Sequence, residues 1–277
     1  MAEVTAKMVQ ELREATNVSM MECKRALVEA EGNMEKANRI LRERGMAVAA
    51  KKASRTANQG LIASAASADG KTASLIEVNS ETDFVARNEG FKAFVETLAK
   101  RALTTDGNLA DEVTAEVTAK VAEIGENIVV RRNVRFAVGG AGKVGAYIHG
   151  GKVGVLVELG CTKEATVASE TFLELLRDLT LHVAACSPRY LTSAEIPADV
   201  VTAEREIYAK QVTDKPANVI DKIVDGKVRK FFSEVCFVDQ LFVKEQKMTV
   251  TQILEQKGKA LGDKLSIRRF VRYQLGA

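Results

Sequence analysis

The sequence predicts an α+β fold, in which a small three-helix domain precedes a core built twice from one α/β unit, with an antiparallel helical hairpin inserted in the second copy. Three observations lead there. Apolar residues recur at helical spacing through the first 45 residues. Residues 70–102 align without gaps to residues 151–183, at a constant offset of 81. The copies differ mainly by a segment at about 190–247, whose apolar positions are again helical. A chain of 277 residues has room for two domains or three small ones, and the expected boundaries are 1–55 for the helical domain and its linker, 56–140 for the first copy and 141–277 for the second.

In the helical domain the periodic positions are Met8, Val9 and Leu12, then Cys23, Ala26, Leu27 and Ala30, then Met34, Ala37, Ile40 and Leu41. Ser19-Met20-Met21-Glu22 reads as a capping box, in which hydroxyl and carboxylate each satisfy a free backbone amide at a helix start. Asn33 reads as a further cap, and Gly32 and Gly45 suit the left-handed position past a helix end. Residues 46–59 lack bulky apolar side chains and carry Lys51, Lys52 and Arg55, which predicts a helical extension grading into a linker.

The duplication then organises the rest. Gly70-Lys71 aligns with Gly151-Lys152, Leu75-Ile76-Glu77-Val78 with Leu156-Val157-Glu158-Leu159, Phe91 with Phe172 and Leu98 with Leu179. A second match closes each copy: Val130-Arg131-Arg132-Asn133-Val134-Arg135-Phe136 resembles Ile267-Arg268-Arg269-Phe270-Val271-Arg272-Tyr273, each after a similar turn, Ile124-Gly125-Glu126-Asn127 or Leu261-Gly262-Asp263-Lys264. Each copy therefore reads as a hairpin, one or more helices and a strand. In the inserted segment, Val200, Val201, Ile207, Val219, Ile220, Ile223, Val224 and Val228 flank a turn at Asp214-Lys215-Pro216, the pattern of two helices folded back on each other. A projection of this kind reads as an interaction arm.

Composition narrows the function. Hydrophobic residues at 46% and charged residues at 28% are those of an ordinary globular protein, and 5% aromatic residues with no Trp predict an aliphatic core. The net charge of +3 is weak for a nucleic-acid binder. Residues 1–57 hold eleven Lys or Arg against eight Glu and no Asp, so any basic patch lies at the amino-terminal end. Cys23, Cys161, Cys186 and Cys236 form no C-x-x-C pair, so reduced thiols are expected, with no metal and no cofactor. No apolar run approaches the ~20 residues of a membrane span, and the start lacks a signal-peptide pattern, so a cytoplasmic location is expected.

Two motifs match catalytic patterns and are refused on context. Ala65-Ala66-Ser67-Ala68-Asp69-Gly70-Lys71-Thr72 fits a permissive phosphate loop, the basis of an NTPase reading, but strand-like residues follow it where a helix is required. Gly140-Ala141-Gly142-Lys143-Val144-Gly145 fits the dinucleotide fingerprint and is likewise followed by a strand-like segment. His149 and His182 are the only histidines, and neither sits in a nucleophile-base pattern. An RNA-binding reading rests on the paired Arg strands, whose alternation instead favours a half-buried structural strand.

Comparing the copies isolates Ser80-Glu81-Thr82-Asp83-Phe84-Val85-Ala86-Arg87-Asn88. At the shared offset Phe84 faces Ala165, so the fold does not demand an aromatic there, while Asn88 faces Ser169 as a cap of the same type. Burying a Phe is worth roughly 1.5–3 kcal/mol in its own protein or in a partner's pocket, so the residues alone leave both readings open.

Thr82-Asp83-Phe84-Val85-Ala86-Arg87-Asn88 resembles the Thr-Asp-Phe-Val-Ala signature of the elongation factor Ts family. Further segments resemble it in family order and cover essentially the whole chain: Leu12-Arg13-Glu14-Ala15-Thr16, Met20-Met21-Glu22-Cys23-Lys24-Arg25-Ala26-Leu27, Ile124-Gly125-Glu126-Asn127-Ile128, Tyr147-Ile148-His149-Gly150 and His182-Val183-Ala184-Ala185. The resemblance implies a ubiquitin-associated (UBA-like) helical domain, a two-copy core and a coiled-coil arm, together binding the GTPase elongation factor Tu in its GDP form without enzymatic chemistry. It implies that the tip Thr82, Asp83, Phe84 and Val85 enters beside the nucleotide and dislodges Mg2+. It further implies contacts by Arg13, Met20, Met21, Lys24, Lys52, Ile124, Gly125 and His149. Gln240-Leu241-Phe242-Val243-Lys244 departs from the family's usual Pro-containing segment.

Overall fold

The structure, a computed structural model, describes residues 4–16, 18–212 and 216–277. It is a mixed α and β chain that divides into two compact units. The first runs through Ala63, then Leu75–Val134 and Gln274–Ala277; the second is Ser64–Ser74 and Arg135–Tyr273. Among the described residues no helix is long and apolar enough to cross a membrane.

The first unit opens with α1 (Ala6–Thr16), α2 (Met20–Glu29) and α3 (Met34–Lys52). Val9, Leu12, Cys23, Ala26, Leu27, Ala30, Ala37 and Leu41 form their common core, as the helical periodicity requires. Asn33 caps α3 by accepting from the Lys36 amide at 2.9 Å, and Gly32 takes the left-handed conformation at φ 82°. Ser19 accepts from the Glu22 amide at 3.3 Å. Glu22 does not complete the expected box, because its carboxylate pairs with Arg25 at 2.7 Å and Arg44 at 3.3 Å.

Strands β1 (Gln59–Ala66) and β2 (Thr72–Ser80), helices α4 (Asp83–Arg87), α5 (Glu89–Arg101), α6 (Leu109–Glu112) and α7 (Thr114–Ile124), and strand β3 (Ile128–Ala137) follow. The sheet order is β1-β2-β3, and β2 is buried from Leu75 to Ser80 as its central strand. Gly45, expected beyond a helix end, lies inside α3. A Cβ there would stand 3.1 Å from the Ala122 Cβ of α7, so the glycine serves a close helix approach and α3 runs on to Lys52.

The second unit contains β4 (Gly142–His149), β5 (Val153–Gly160), α8 (Glu164–Val167), α9 (Glu170–Cys186), α10 (Ala198–Lys210), α11 (Ala217–Val235), β6 (Leu241–Phe242), β7 (Glu245–Thr249), α12 (Val250–Leu261) and β8 (Ser266–Gln274). β4 and β5 pair antiparallel from Gly142 with Gly160 to His149 with Val153, and β8 completes the order β4-β5-β8. A core of Val155, Val157, Leu159, Phe172, Leu176, Leu179, Ile253 and Ile267, among others, lies between sheet and helices.

The internal repeat is visible in the element starts. α4 and α8 begin at Asp83 and Glu164, α5 and α9 at Glu89 and Glu170, in both cases 81 apart. The caps repeat as well: Asn88 accepts from the Phe91 amide at 3.0 Å, and Ser169 from the Phe172 amide at 3.3 Å. A device not read from the sequence also occurs twice. Glu77 and Glu158 are buried in β2 and β5, and each is met by an arginine pair, Arg131 and Arg132 at 3.4 and 2.7 Å, Arg268 and Arg269 at 3.2 and 2.7 Å. A buried carboxylate is tolerated only with such partners.

Helices α10 and α11 pack side by side, tied by Arg205 to Asp225 at 2.7 Å. Lys227 lies over the Tyr208 ring at 5.5 Å. Asp214 and Lys215 of the expected turn lie outside the described residues. At the root of the hairpin Ile196, Phe231, Val235 and Cys236 cluster, whereas α10 buries no side chain fully. His182 is a core residue: it stacks on Phe237 at 5.4 Å and Phe242 at 5.8 Å, its Nε2 bonds the Gln240 Oε1 at 2.9 Å, and burial lowers its pKa.

Candidate partner-binding site

Where β2 ends, the chain turns through Glu81 and Thr82 into α4, a helix of only 5 residues. Helices this short do not hold themselves, because nucleation fixes several dihedrals before hydrogen bonds accumulate. The neighbouring turn of Gly125, Glu126 and Asn127 supplies the missing support. Glu126 accepts from the Thr82 amide at 3.0 Å and the Thr82 hydroxyl at 2.7 Å. The same hydroxyl accepts from the Val85 amide at 3.4 Å, and Ser80 donates to the Thr82 carbonyl at 3.0 Å.

Opposite side chains of the tip then face opposite ways. Val85 is buried and pins α4 to the unit; Phe84 stands 78% exposed. Asp83 lies in the first turn, where a carboxylate complements the helix dipole, and pairs with Arg87 at 2.6 Å. Ala165, the counterpart of Phe84, is exposed too, so neither copy has a pocket of its own at this position.

Behind the tip the bonds run in both directions. The Asn127 amide donates to Glu81 at 2.7 Å, and chiefly this bond holds the Glu81 carboxyl below its usual range. The Asn127 side chain donates to the Arg55 carbonyl at 2.7 Å, and Arg55 pairs with Glu81 at 3.4 Å. Gly125 ends α7 in the left-handed conformation at φ 81°, and its carbonyl accepts from the Lys52 ammonium at the end of α3. Lys52, Gly125 and the tip thus belong to one bonded patch, with the half-buried Ile124 just before it.

The other expected contact residues are not part of that patch. Arg13 on α1 and Lys24 on α2 are exposed, as are Met20 at 43% and Met21 at 60%. They are surface positions of α1 and α2, the helices whose Leu12, Cys23 and Leu27 are buried in the common core. His149, in the second unit, is exposed at the end of β4, with Nδ1 3.0 Å from the Tyr147 hydroxyl.

Catalytic alternatives fail on geometry. Ser67 through Thr72 is a hairpin turn with Gly70 at φ 69°, and a strand follows. The Lys71 ammonium is held by Glu164 at 2.6 Å and the Gly140 carbonyl at 3.1 Å. The Gly140-Ala141-Gly142 segment leads into β4, again a strand. Burial pushes the Cys236 thiol up to about 11, away from nucleophilic use. Among the described residues no three His, Cys, Asp or Glu side chains are grouped to hold a metal ion.

Sequence reasoning missed Glu126 and Glu81 as holders of the tip. The signal was present, since Glu126 aligns with Asp263 at the offset of 137 that relates Val130 to Ile267.

Comparison with known proteins adds the family. A family model described as elongation factor TS matches residues 81–277. Elongation factor Ts of Nitratiruptor sp. is 48% identical over 286 residues, covering 99% of this chain and 93% of that relative. Elongation factor Ts of Nitratidesulfovibrio vulgaris is 42% identical over 276 residues, covering 99% and 96%. The Clostridioides difficile relative of the same name is 43% identical over 290 residues, covering 100% and 94%.

Proposed function

Because the chain belongs to the elongation factor Ts family, we propose that it binds the GDP form of elongation factor Tu and exchanges its nucleotide by driving Phe84 into the GTPase. The family implies a nucleotide-exchange role in translation elongation, with no bond-making chemistry of its own. The observation that carries the finer reading is Phe84, a large apolar side chain 78% exposed on a tip held from behind by Glu126.

Exchange is a linkage problem. Factor and nucleotide must each weaken the other's binding by the same free energy. Accelerating release ten-thousand-fold requires lowering the barrier by about 5.5 kcal/mol, while burying one Phe is worth at most ~3 kcal/mol. The remainder falls to a wider surface: Arg13, Met20, Met21 and Lys24 on the helical domain, Lys52, Ile124 and Gly125 behind the tip, and His149. Asp83 and Phe84 together displace Mg2+ and loosen the grip on the phosphates, with Thr82 and Val85 fixing their direction. The helical domain at 1–55 is UBA-like, the core copies occupy 56–140 and 141–277, and the α10–α11 hairpin is a coiled-coil docking arm. The site of action is the cytoplasm.

An RNA-binding reading loses its support from the paired arginines, because Arg131, Arg132, Arg268 and Arg269 are engaged by buried carboxylates. The deciding measurement is release of fluorescent GDP from elongation factor Tu. Wild-type chain accelerates it strongly, and Phe84→Ala does so far less at subsaturating concentration. No acceleration by wild type ends the exchange reading; full activity of Phe84→Ala ends the wedge role of the tip.

A further inference from the structure

We infer that Glu126 is the positioning residue of the tip: its carboxylate, more than the short helix α4 itself, sets where Phe84 stands. This deepens the exchange reading and, for its functional arm, rests on it. Glu126 bonds both the amide and the hydroxyl of Thr82, the residue that caps α4. Through Thr82 it therefore fixes both the backbone position and the start direction of a 5-residue helix, and Phe84 is the second residue of that helix.

The second unit supplies an independent instance of the same device. Asp263, 137 positions after Glu126, accepts from the Thr162 amide at 3.0 Å, the Lys163 amide at 3.1 Å, the Thr166 hydroxyl at 2.6 Å and also the Thr162 hydroxyl. Thr162 and Lys163 lead into α8, which is 4 residues long, and Thr166 lies within it. An acid in the turn before the closing strand thus clamps the strand-to-helix corner in both copies. The aromatic is present in one copy only, where Phe84 faces Ala165. The clamp is part of the repeated fold, and the first copy uses it to aim a side chain.

The turn that carries Glu126 has its own attachments. Asn127 bonds Glu81 and the Arg55 carbonyl, and Gly125 bonds Lys52. Removing the Glu126 side chain therefore frees the tip while the turn stays in place. Misplacement of a positioned group by about 1 Å is enough to cost on the order of a hundredfold in rate, so a loosened tip has a measurable effect.

The test compares Glu126→Ala, Glu126→Gln, Phe84→Ala and the double variant Glu126→Ala with Phe84→Ala, all in the full chain. Hydrogen exchange of the Thr82 and Val85 amides reads the clamp directly, and fluorescent GDP release from elongation factor Tu over a range of factor concentrations reads its use. Glu126→Ala speeds amide exchange and lowers the maximal release rate, each by about tenfold, in a chain whose urea midpoint falls but which stays folded without urea. Glu126→Gln, which keeps one acceptor, falls between it and wild type. The double variant is no slower than Phe84→Ala alone, because Glu126 acts through Phe84. Wild-type amide protection in Glu126→Ala overturns the proposal, and so does a double variant slowed by the full factor that Glu126→Ala produces alone. If the wild-type chain does not release GDP, the exchange reading fails and amide protection still decides the clamp.

Discussion

Arg132 donates through Nε to the carboxylate of Glu77 at 2.8 Å, on a glutamate fully buried in the central strand β2. Arg131 reaches the same carboxylate only at 3.4 Å, and the Gly276 amide adds a bond at 2.9 Å. Removing one partner of a buried pair leaves charge without solvation, at ~3–5 kcal/mol when nothing else compensates. The Asn79 side chain donates to Glu77 as well, at 3.2 Å, so with three lesser partners remaining Arg132→Ala should cost about 2–3 kcal/mol in urea unfolding. Arg131→Ala, at longer range and with a more exposed side chain, should cost about 1 kcal/mol or less. Equal losses in the two variants would mean that Glu77 does not depend on Arg132 in particular.

Phe84→Ala should leave stability within about 0.5 kcal/mol of wild type, because an exposed side chain makes few contacts to lose. Phe91→Ala, seven positions on and 0% exposed, should cost about 3–5 kcal/mol. Thermal unfolding of the two variants checks the contrast. A large loss in Phe84→Ala would place Phe84 in the protein's own core and remove the argument for a partner.

Asp263 predicts a pH dependence confined to acid. Hydrogen bonds from the Thr162 hydroxyl first, then the Thr166 hydroxyl and the Thr162 and Lys163 amides, hold its carboxyl well below the usual range. Since the folded pKa lies below the unfolded value of about 4, the unfolded chain takes up the proton first as pH falls. The clamp's contribution is complete above about pH 4 and is lost as pH drops through the folded pKa. Asp263→Asn should therefore be less stable than wild type near neutrality, with a gap that narrows below about pH 4. A gap of the same size at about pH 3 and about pH 7 would show that the clamp does not use ionisation.

Much of this was legible because the chain states its core twice. The offset of 81 placed the caps Asn88 and Ser169 at the starts of α5 and α9, since caps and buried aromatics recur wherever the same backbone is built, whereas α4 and α8 are too short to show helical periodicity. The exposure of Phe84 was signalled by contrast, since its counterpart in the other copy is the small Ala165. Glu77 and Glu158 were aligned but read only as strand residues. A Glu inside an apolar run signals a buried ion pair only once its Arg partners are known to reach it, and these lie more than fifty residues away in sequence. The ribbon of β6 and β7 escaped notice because a 2-residue strand carries no periodicity. Gly45 misled because local chemistry at a helix end and a close helix contact both call for a missing Cβ.

That ambiguity yields a test whose sign is informative. In an isolated helix Gly→Ala gains about 1 kcal/mol of propensity. At Gly45 the added Cβ would stand 3.1 Å from the Ala122 Cβ, an atom fixed to the backbone of α7 and unable to swing aside. Relief then requires separating α3 from α7, and overpacking of that kind costs about 1–3 kcal/mol. The overlap outweighs the propensity gain, so Gly45→Ala should destabilise the first unit, and Gly45→Ser should do so at least as much. Ala122→Gly in the Gly45→Ala background removes the opposing methyl and should recover part of the loss, in spite of its own cost in helix propensity. Urea midpoints of the single and double variants measure the coupling directly. A stabilised Gly45→Ala would show that α3 and α7 are free to separate, and Gly45 would revert to an incidental residue of a long helix.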